Sequence, residues 1–257
     1  MLSKNKIKFL VSLQKKKSRD EYGLYLIEGD KMVKEYISAA MPVKSVIAKP
    51  EFLKSLPADY MDNIENEAVS YEDLKKVSTL KTPHNAIAVV AMPEQDPDLK
   101  NIFPDWCLAL DFIQDPGNLG TIIRAAAWFG IRNIVCSEES VDAFNPKVIQ
   151  ASMGALIHVN VVYSDLAKFL NTASGEQIPV YGSVLDGESV YTLDLSEKGI
   201  VLLGNESKGI SENLIPYISR KLTIPRYSNS SLGIDSLNVG MAASIIISEV
   251  ARRGKEL

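Results

Sequence analysis

Five short runs, Cys107–Phe112, Asn133–Cys136, Val180–Val184, Ile200–Leu203 and Leu222–Ile224, are apolar almost throughout and are separated by segments of helical periodicity. A strand with one wet face alternates apolar and polar residues, whereas a run without alternation has both faces covered, as in a parallel sheet flanked by helices. The pattern predicts a doubly wound α/β domain over residues 106–257. Ahead of it, strand-like runs at 24–27, 43–48 and 86–92 with helix-like runs at 30–40 and 70–77 predict a smaller α/β unit over residues 1–92. Residues 93–105 hold Pro93, Pro97 and Pro104 among Glu94, Asp96, Asp98 and Asp105, a composition that neither propagates a helix nor pairs as a central strand. That stretch is the expected linker.

The formal net charge of −4 conceals an uneven distribution. Lys4, Lys6, Lys8, Lys15, Lys16, Lys17 and Arg19 lie in a segment with no acid, which leaves 21 of the 28 basic groups against 32 acidic ones in the rest. Such a segment fits contact with a phosphate backbone, and equally fits a solvated amphipathic helix with Ile7, Leu10 and Val11 turned inward. The apolar run Phe9–Leu13 is cut by Gln14-Lys15-Lys16-Lys17, too soon for a secretion signal, and no segment reaches bilayer length, so a cytoplasmic protein with no membrane partner is expected. Cys107 and Cys136 form no C-x-x-C pair and read as buried core residues in a reducing compartment. His84 and His158 are isolated, and no cluster has metal-ligand spacing, so no metal is expected.

Asp115-Pro116-Gly117 ends the first apolar run in a turn, and Ile122, Ile123, Ala126 and Phe129 recur at helical spacing, so a helix is expected to begin near Asn118 or Leu119. Asn118 is then an N-cap or a functional amide, and Arg124 a surface ion-pair residue or a catalytic one. Gly204-Asn205-Glu206-Ser207-Lys208-Gly209 follows Ile200–Leu203, and a glycine at the carboxyl end of a parallel strand lets a ligand approach the backbone. The six residues begin like a phosphate-binding loop, but Ile210-Ser211 stands where Lys and then Ser or Thr are required, and no G-x-G-x-x-G follows any strand. This disfavours a nucleotide triphosphatase or a dinucleotide enzyme. Lys221–Pro225 reads as a strand ended by proline, and Ser236-Leu237-Asn238-Val239 opens a helix through Met241–Arg253, with Asp235 or Ser236 as N-cap and Arg252, Arg253 and Gly254 in its last turn.

Taken together, Asn118-Leu119-Gly120 with Arg124, Leu202–Gly209, and Ile224-Pro225 followed by Asp235–Gly240 resemble the three motifs of SpoU-type RNA 2′-O-ribose methyltransferases of the SPOUT superfamily. The resemblance is specific over 107–253 and looser in the N-terminal third, where Leu24–Asp30 is similar to the opening of that family's substrate-binding domain. It implies a C-terminal SPOUT domain with a deep trefoil knot, S-adenosylmethionine as cofactor, a homodimer, and a small N-terminal α/β domain that binds RNA. The implied substrate is ribosomal RNA, with transfer RNA as the alternative. By the same resemblance Asn118, Arg124, Glu206, Ser236 and Asn238 serve catalysis, and Leu203, Gly204, Gly209, Ile224 and Leu237 hold the cofactor. Lys15, Lys16, Lys17, Arg19, Glu28 and Arg124 face the RNA, and Asn205 and Glu206 steady the knot loop or meet RNA. Two departures are visible: Gly240 stands where the family's motif continues with serine, and the loop 226–235 is long.

Transfer of a methyl group to a ribose hydroxyl requires the oxygen to lose its proton and lie in line with the methyl carbon, so positioning and charge stabilisation carry most of the catalysis. A guanidinium does not surrender its proton in proteins. Arg124 is therefore expected to bind the flanking phosphate or the developing alkoxide, while Asn118, Ser236 or a phosphate-bound water steers the proton. The joint presence of Asn118, Arg124, Glu206, Ser236 and Asn238 argues against a catalytically idle RNA-binding homologue. A 2′-hydroxyl exists only in RNA, which fixes the substrate class.

Overall fold

The computed structural model describes residues 1–57, 60, 63–94, 98–228 and 235–254. In chain order the described elements are α1 (Lys4–Ser12), α2 (Lys16–Tyr22), β1 (Leu24–Glu28), α3 (Asp30–Ser38), β2 (Val43–Ala48), α4 (Pro50–Leu53), β3 (Glu65–Ala68), α5 (Tyr71–Val77) and β4 (Ala86–Ala91). They continue with β5 (Cys107–Leu110), α6 (Pro116–Phe129), β6 (Asn133–Cys136), α7 (Pro146–Ser152), β7 (Asn160–Tyr163), α8 (Leu166–Gly175), β8 (Val180–Ser189), β9 (Ile200–Leu203), β10 (Arg220–Thr223) and α9 (Val239–Gly254). The chain forms two compact units, Met1–Glu94 with Asp142–Ile157, and Gln95–Val141 with His158–Leu257.

The first unit is built on a sheet of order β1-β4-β2-β3, antiparallel except where β3 joins β2. Side chains alternate across a strand, so Tyr25, Ile27, Val46, Ala48, Ala88 and Val90 share one core with Val33 and Tyr36 of α3 and with Phe144 and Ile149. Ile47, Ile87 and Val89 point the other way, into a second core with Leu10, Leu13, Leu74 and Val77 from α1, its C-cap and α5. Burial of Leu10 agrees with the inward face expected of the basic helix. The segment Asp142–Ile157, expected within the C-terminal domain, contributes Phe144 and Ile149 to this first unit, because both are apolar and the sheet face under α3 needs covering.

The second unit holds a six-stranded sheet of order β10-β8-β9-β5-β6-β7 in which every pair is parallel. Cys107, Ala109, Val135, Ile200 and Leu202 face a core with Phe169, Leu170 and Ala173 of α8. The intervening residues Leu108, Leu110, Val201 and Leu203 are equally buried on the opposite face. Helices α6 and α9 pack on each other and bury Ile122, Ile123, Ile246 and Ile247. Both cysteines are buried, and burial pushes their thiols well above the ordinary range. The expected linker is only partly a connector: Leu99–Ile102 forms a short 3-10 helix, and Ile102 and Phe103 enter the second unit's core.

Candidate active site

Strands β5 and β9 lie in register, Cys107 opposite Ile200 and Leu110 opposite Leu203, so the chain leaves both at one edge. The exits are tied together. Asp111 N–H donates to Leu203 O (2.8 Å), and the buried Asp111 carboxylate accepts Ser211 N–H (2.7 Å). The first exit turns into α6, whose N-cap is Asp115, accepting Asn118 N–H at 2.8 Å, with Pro116 at the first helical position, where a missing N–H is no loss. The helix therefore starts before the expected Asn118, and capping falls to Asp115. The Asn118 side chain is released for another use.

That use is a chain of amides. Asn238 Oδ1 accepts Gly240 N–H (3.0 Å) and Met241 N–H (3.2 Å), so Asn238 caps α9 in place of the expected Asp235 or Ser236. A backbone N–H can only donate, which leaves the Asn238 NH2 to donate to Asn118 Oδ1 at 2.8 Å. Asn118 then has only its own NH2 free, and it donates to Glu206 Oε1. One residue from each of the three motifs is thereby joined, and the direction of each bond is set by the backbone at the start of α9.

Glu206 is carried by a tight loop. Asn205 and Gly209 exchange N–H···O bonds of 3.0 and 2.9 Å, and Asn205 Oδ1 accepts Ser207 N–H (2.9 Å) and Lys208 N–H (3.1 Å). A Cβ at Gly204 would collide with the Gly209 carbonyl and the Ile210 nitrogen. The expected reason for glycine at this position, close approach of a ligand, is corrected: the loop's own backbone fills that space. Asn205 Nδ2 also donates to Phe112 O (2.9 Å), and Phe112 N–H donates to Ser137 Oγ (3.0 Å). Phe112 is held at φ 59°, a left-handed conformation unusual for a bulky residue, and Lys208 Nζ stands 5.0 Å from its ring centroid. From the sequence, Asp115 has only a place in a turn, and Phe112 and Lys208 have no separate role; of the three, only Asp115, an Asp directly before Pro at a helix start, carries a local signal for what it does here.

Leu203 is buried, Gly204 and Ile224 are half-buried, and Gly209, Ser236, Leu237 and Asn238 are exposed. Leu237 is 47 % exposed although apolar. Arg124 lies on the exposed side of α6. Of the long loop 226–235, residues 229–234 lie outside the described residues. The glycine at 240 has a structural reason: a Cβ there would stand 3.2 Å from Thr121 Cγ2 on α6, so glycine lets the two helices close up. Among the described residues no group of His, Cys, Asp and Glu could hold a metal ion, and no helix is long and apolar enough to cross a membrane.

The residues expected to face RNA in the first unit divide. Lys15, Lys16 and Lys17 are exposed, Lys16 pairing with Asp20 at 2.9 Å. Arg19 is 2 % exposed, donates to Leu13 O (3.0 Å) and Gln14 O (2.9 Å), and forms an ion pair with Asp142. It is a structural residue, and its expected role on RNA is corrected. Glu28 is also buried: its carboxylate accepts the Ser78 hydroxyl (2.7 Å) and His84 N–H (3.1 Å), which pins the loop after α5 and leaves no face for a polyanion.

The SpoU rRNA Methylase family model matches residues 105–248, and the MRM3-like substrate binding domain model matches residues 4–88. The chain is 32 % identical over 243 residues to the 23S rRNA (guanosine(2553)-2′-O)-methyltransferase RlmP of Bacillus subtilis (strain 168), covering 94 % of each chain. Its fold matches a putative RNA methyltransferase of the TrmH family from Porphyromonas gingivalis with a TM-score of 0.87, at 39 % identity, over 98 % of this chain and 99 % of that one. The AdoMet-bound rRNA methyltransferase from Sinorhizobium meliloti superposes with a TM-score of 0.86 at 25 % identity, over 98 % and 97 % of the two chains. The motifs, the parallel sheet that brings them together and these matches place the chain in the SpoU rRNA methylase family.

Proposed function

We propose that this protein transfers a methyl group from S-adenosylmethionine to a ribose 2′-hydroxyl of ribosomal RNA. The observation that carries the reading is the Asn238–Asn118–Glu206 chain, which brings polar groups of all three motifs to the edge where open parallel sheets bind ligands. The residues present fit the cofactor. Leu237, exposed although apolar, and half-buried Ile224 offer apolar surface, and Leu203, Gly204 and Gly209 offer peptide groups, the mixture a nucleoside needs, and these residues would hold it. S-adenosylmethionine supplies an electrophilic methyl group when bound.

The protein's part is positioning. Asn118, locked between Asn238 and Glu206, cannot rotate its amide, so the edge is pre-organised before RNA arrives. Arg124 binds the phosphate or the developing alkoxide, and the Ser236 hydroxyl orients the attacking oxygen. The identity of the Bacillus subtilis relative favours ribosomal RNA over transfer RNA. Lys15, Lys16 and Lys17 bind RNA phosphates as part of an N-terminal substrate domain within residues 1–92, followed by a connector and the methyltransferase domain over 106–257. We read the C-terminal segment as the trefoil knot of the superfamily, supported by α9, which follows the edge strand β10, packing back on α6, the helix that follows the inner strand β5. A homodimer in the cytoplasm completes the reading, supported by Trp128 and Met241, 84 % and 59 % exposed on the packed helices α6 and α9. The test is mass-spectrometric mapping of ribose methylation in RNA from cells with and without the gene: one ribosomal 2′-O-methyl group should disappear, and loss confined to transfer RNA would reassign the substrate.

A further inference from the structure

We infer that Lys208 is a phosphate-binding residue of this site, held ready by the ring of Phe112. The inference rests on the proposed RNA substrate and names a contact to it. Lys208 sits two residues after Glu206 on the same hydrogen-bonded loop, so its position is set by the Asn205–Gly209 backbone pair that sets Glu206. Among the described residues it pairs with no carboxylate; its Nζ lies 5.0 Å from the Phe112 ring centroid instead. That difference matters chemically. An ion pair consumes the donors of an ammonium, while an aromatic face attracts the charge and leaves N–H groups for another acceptor. Glu206, the nearest carboxylate in sequence, already accepts from Asn118.

Phe112 is an unusual platform to find by chance. Its left-handed backbone is maintained by Ser137 Oγ on its N–H and by Asn205 Nδ2 on its carbonyl, and that same Asn205 accepts Lys208 N–H. The backbones that carry the ring and the ammonium are thus tied to one side chain. An exposed cation at the mouth of a site for a polyanion, with its donors unspent, is suited to the phosphate beside the target ribose.

The experiment uses the full chain, unmodified 23S rRNA transcript as probe, and two readouts: methyl transfer from radiolabelled S-adenosylmethionine and RNA affinity over a salt series. Lys208→Ala should raise KM for RNA about tenfold, move kcat less than twofold, and reduce the slope of log affinity against log salt by about one. Phe112→Leu should raise KM less, and the double variant should match Lys208→Ala alone. Thermal melting checks that each variant folds; if Phe112→Leu does not, Phe112→Met takes its place in the comparison, and Lys208→Gln, a surface change, repeats the salt-slope test on its own. An unchanged salt slope in Lys208→Ala, or additive effects in the double variant, overturns the inference while leaving the methyltransferase reading intact. Failure of the unaltered protein to bind the transcript at all overturns both.

Discussion

Substituting Gly204 by alanine asks whether the glycine after β9 serves the ligand or the loop. The added methyl would overlap the carbonyl of Gly209 and the nitrogen of Ile210, both backbone and neither able to swing aside as a side chain would. The loop must open, which disrupts the two Asn205–Gly209 hydrogen bonds. At about 0.5–1.5 kcal/mol for each bond and about 1–3 kcal/mol for overpacking, the loss comes to roughly 2–6 kcal/mol. That is a large part of the ~5–15 kcal/mol by which domains are stable. Gly209→Ala is the control: open space surrounds its Cβ position, and only the strain of φ +70° remains, about 1–2 kcal/mol. Urea denaturation of both variants gives the difference, and calorimetry gives their affinity for S-adenosylmethionine. A Gly204→Ala protein that unfolds at the unaltered midpoint yet no longer binds the cofactor would refute the argument and restore the glycine to the ligand.

Asn238→Ala should lower kcat by about 10–10²-fold with a smaller change in stability, since it removes the bond that orients Asn118 as well as one helix cap; a methyl-transfer assay beside thermal melting separates the two. Arg124→Ala should reduce methyl transfer about 10²–10⁴-fold and leave cofactor affinity within a few-fold by calorimetry. Arg19→Ala should cost about 3–5 kcal/mol by stranding Asp142, whereas neutralising Lys15, Lys16 and Lys17 together should leave the melting temperature in place and flatten the salt dependence of RNA binding. Glu249, buried beside Arg252 and Arg253, has its carboxyl lowered from 4.5 to about 2, first by the Arg252 hydrogen bond. A depressed carboxyl stabilises the fold above its unfolded value, so Glu249→Gln should destabilise at neutral pH, with the difference shrinking as pH falls from about 4.5 towards 2 in a melting series.

Strands covered on both faces are legible in the sequence, because β4, β5 and β9 are apolar at every position and β6 at all but its first. The edge strand β3, Glu65-Asn66-Glu67-Ala68, did not: it is mostly exposed and owes its conformation to pairing with β2 rather than to its own residues. The extension of β8 to Ser189 was also hidden, since it depends on Gly187, where a Cβ would strike the Leu222 backbone. In the site, the family resemblance points to Asn118, Glu206 and Asn238 but does not show that they bond in one chain, which depends on the β5–β9 register for the first two and on the start of α9 for the third. Charge alone could not separate Arg19 from Lys15, Lys16 and Lys17; only its position beside Asp142, distant in sequence, withdraws it from the surface.

The return of Asp142–Ile157 to the first unit bears on how the chain is made. Synthesis runs from the N-terminus, and a core closes only when its last member has left the ribosome. Phe144 and Ile149 belong to the core beneath α3, so the first unit cannot complete itself when residue 94 emerges; it must wait, that core short of two buried side chains, until β5, α6 and β6 of the second unit have also been translated. Ribosome stalling before residue 157 should therefore leave a nascent chain that recruits chaperones, and stalling far enough beyond it for residue 157 to have left the ribosome a protease-resistant first unit.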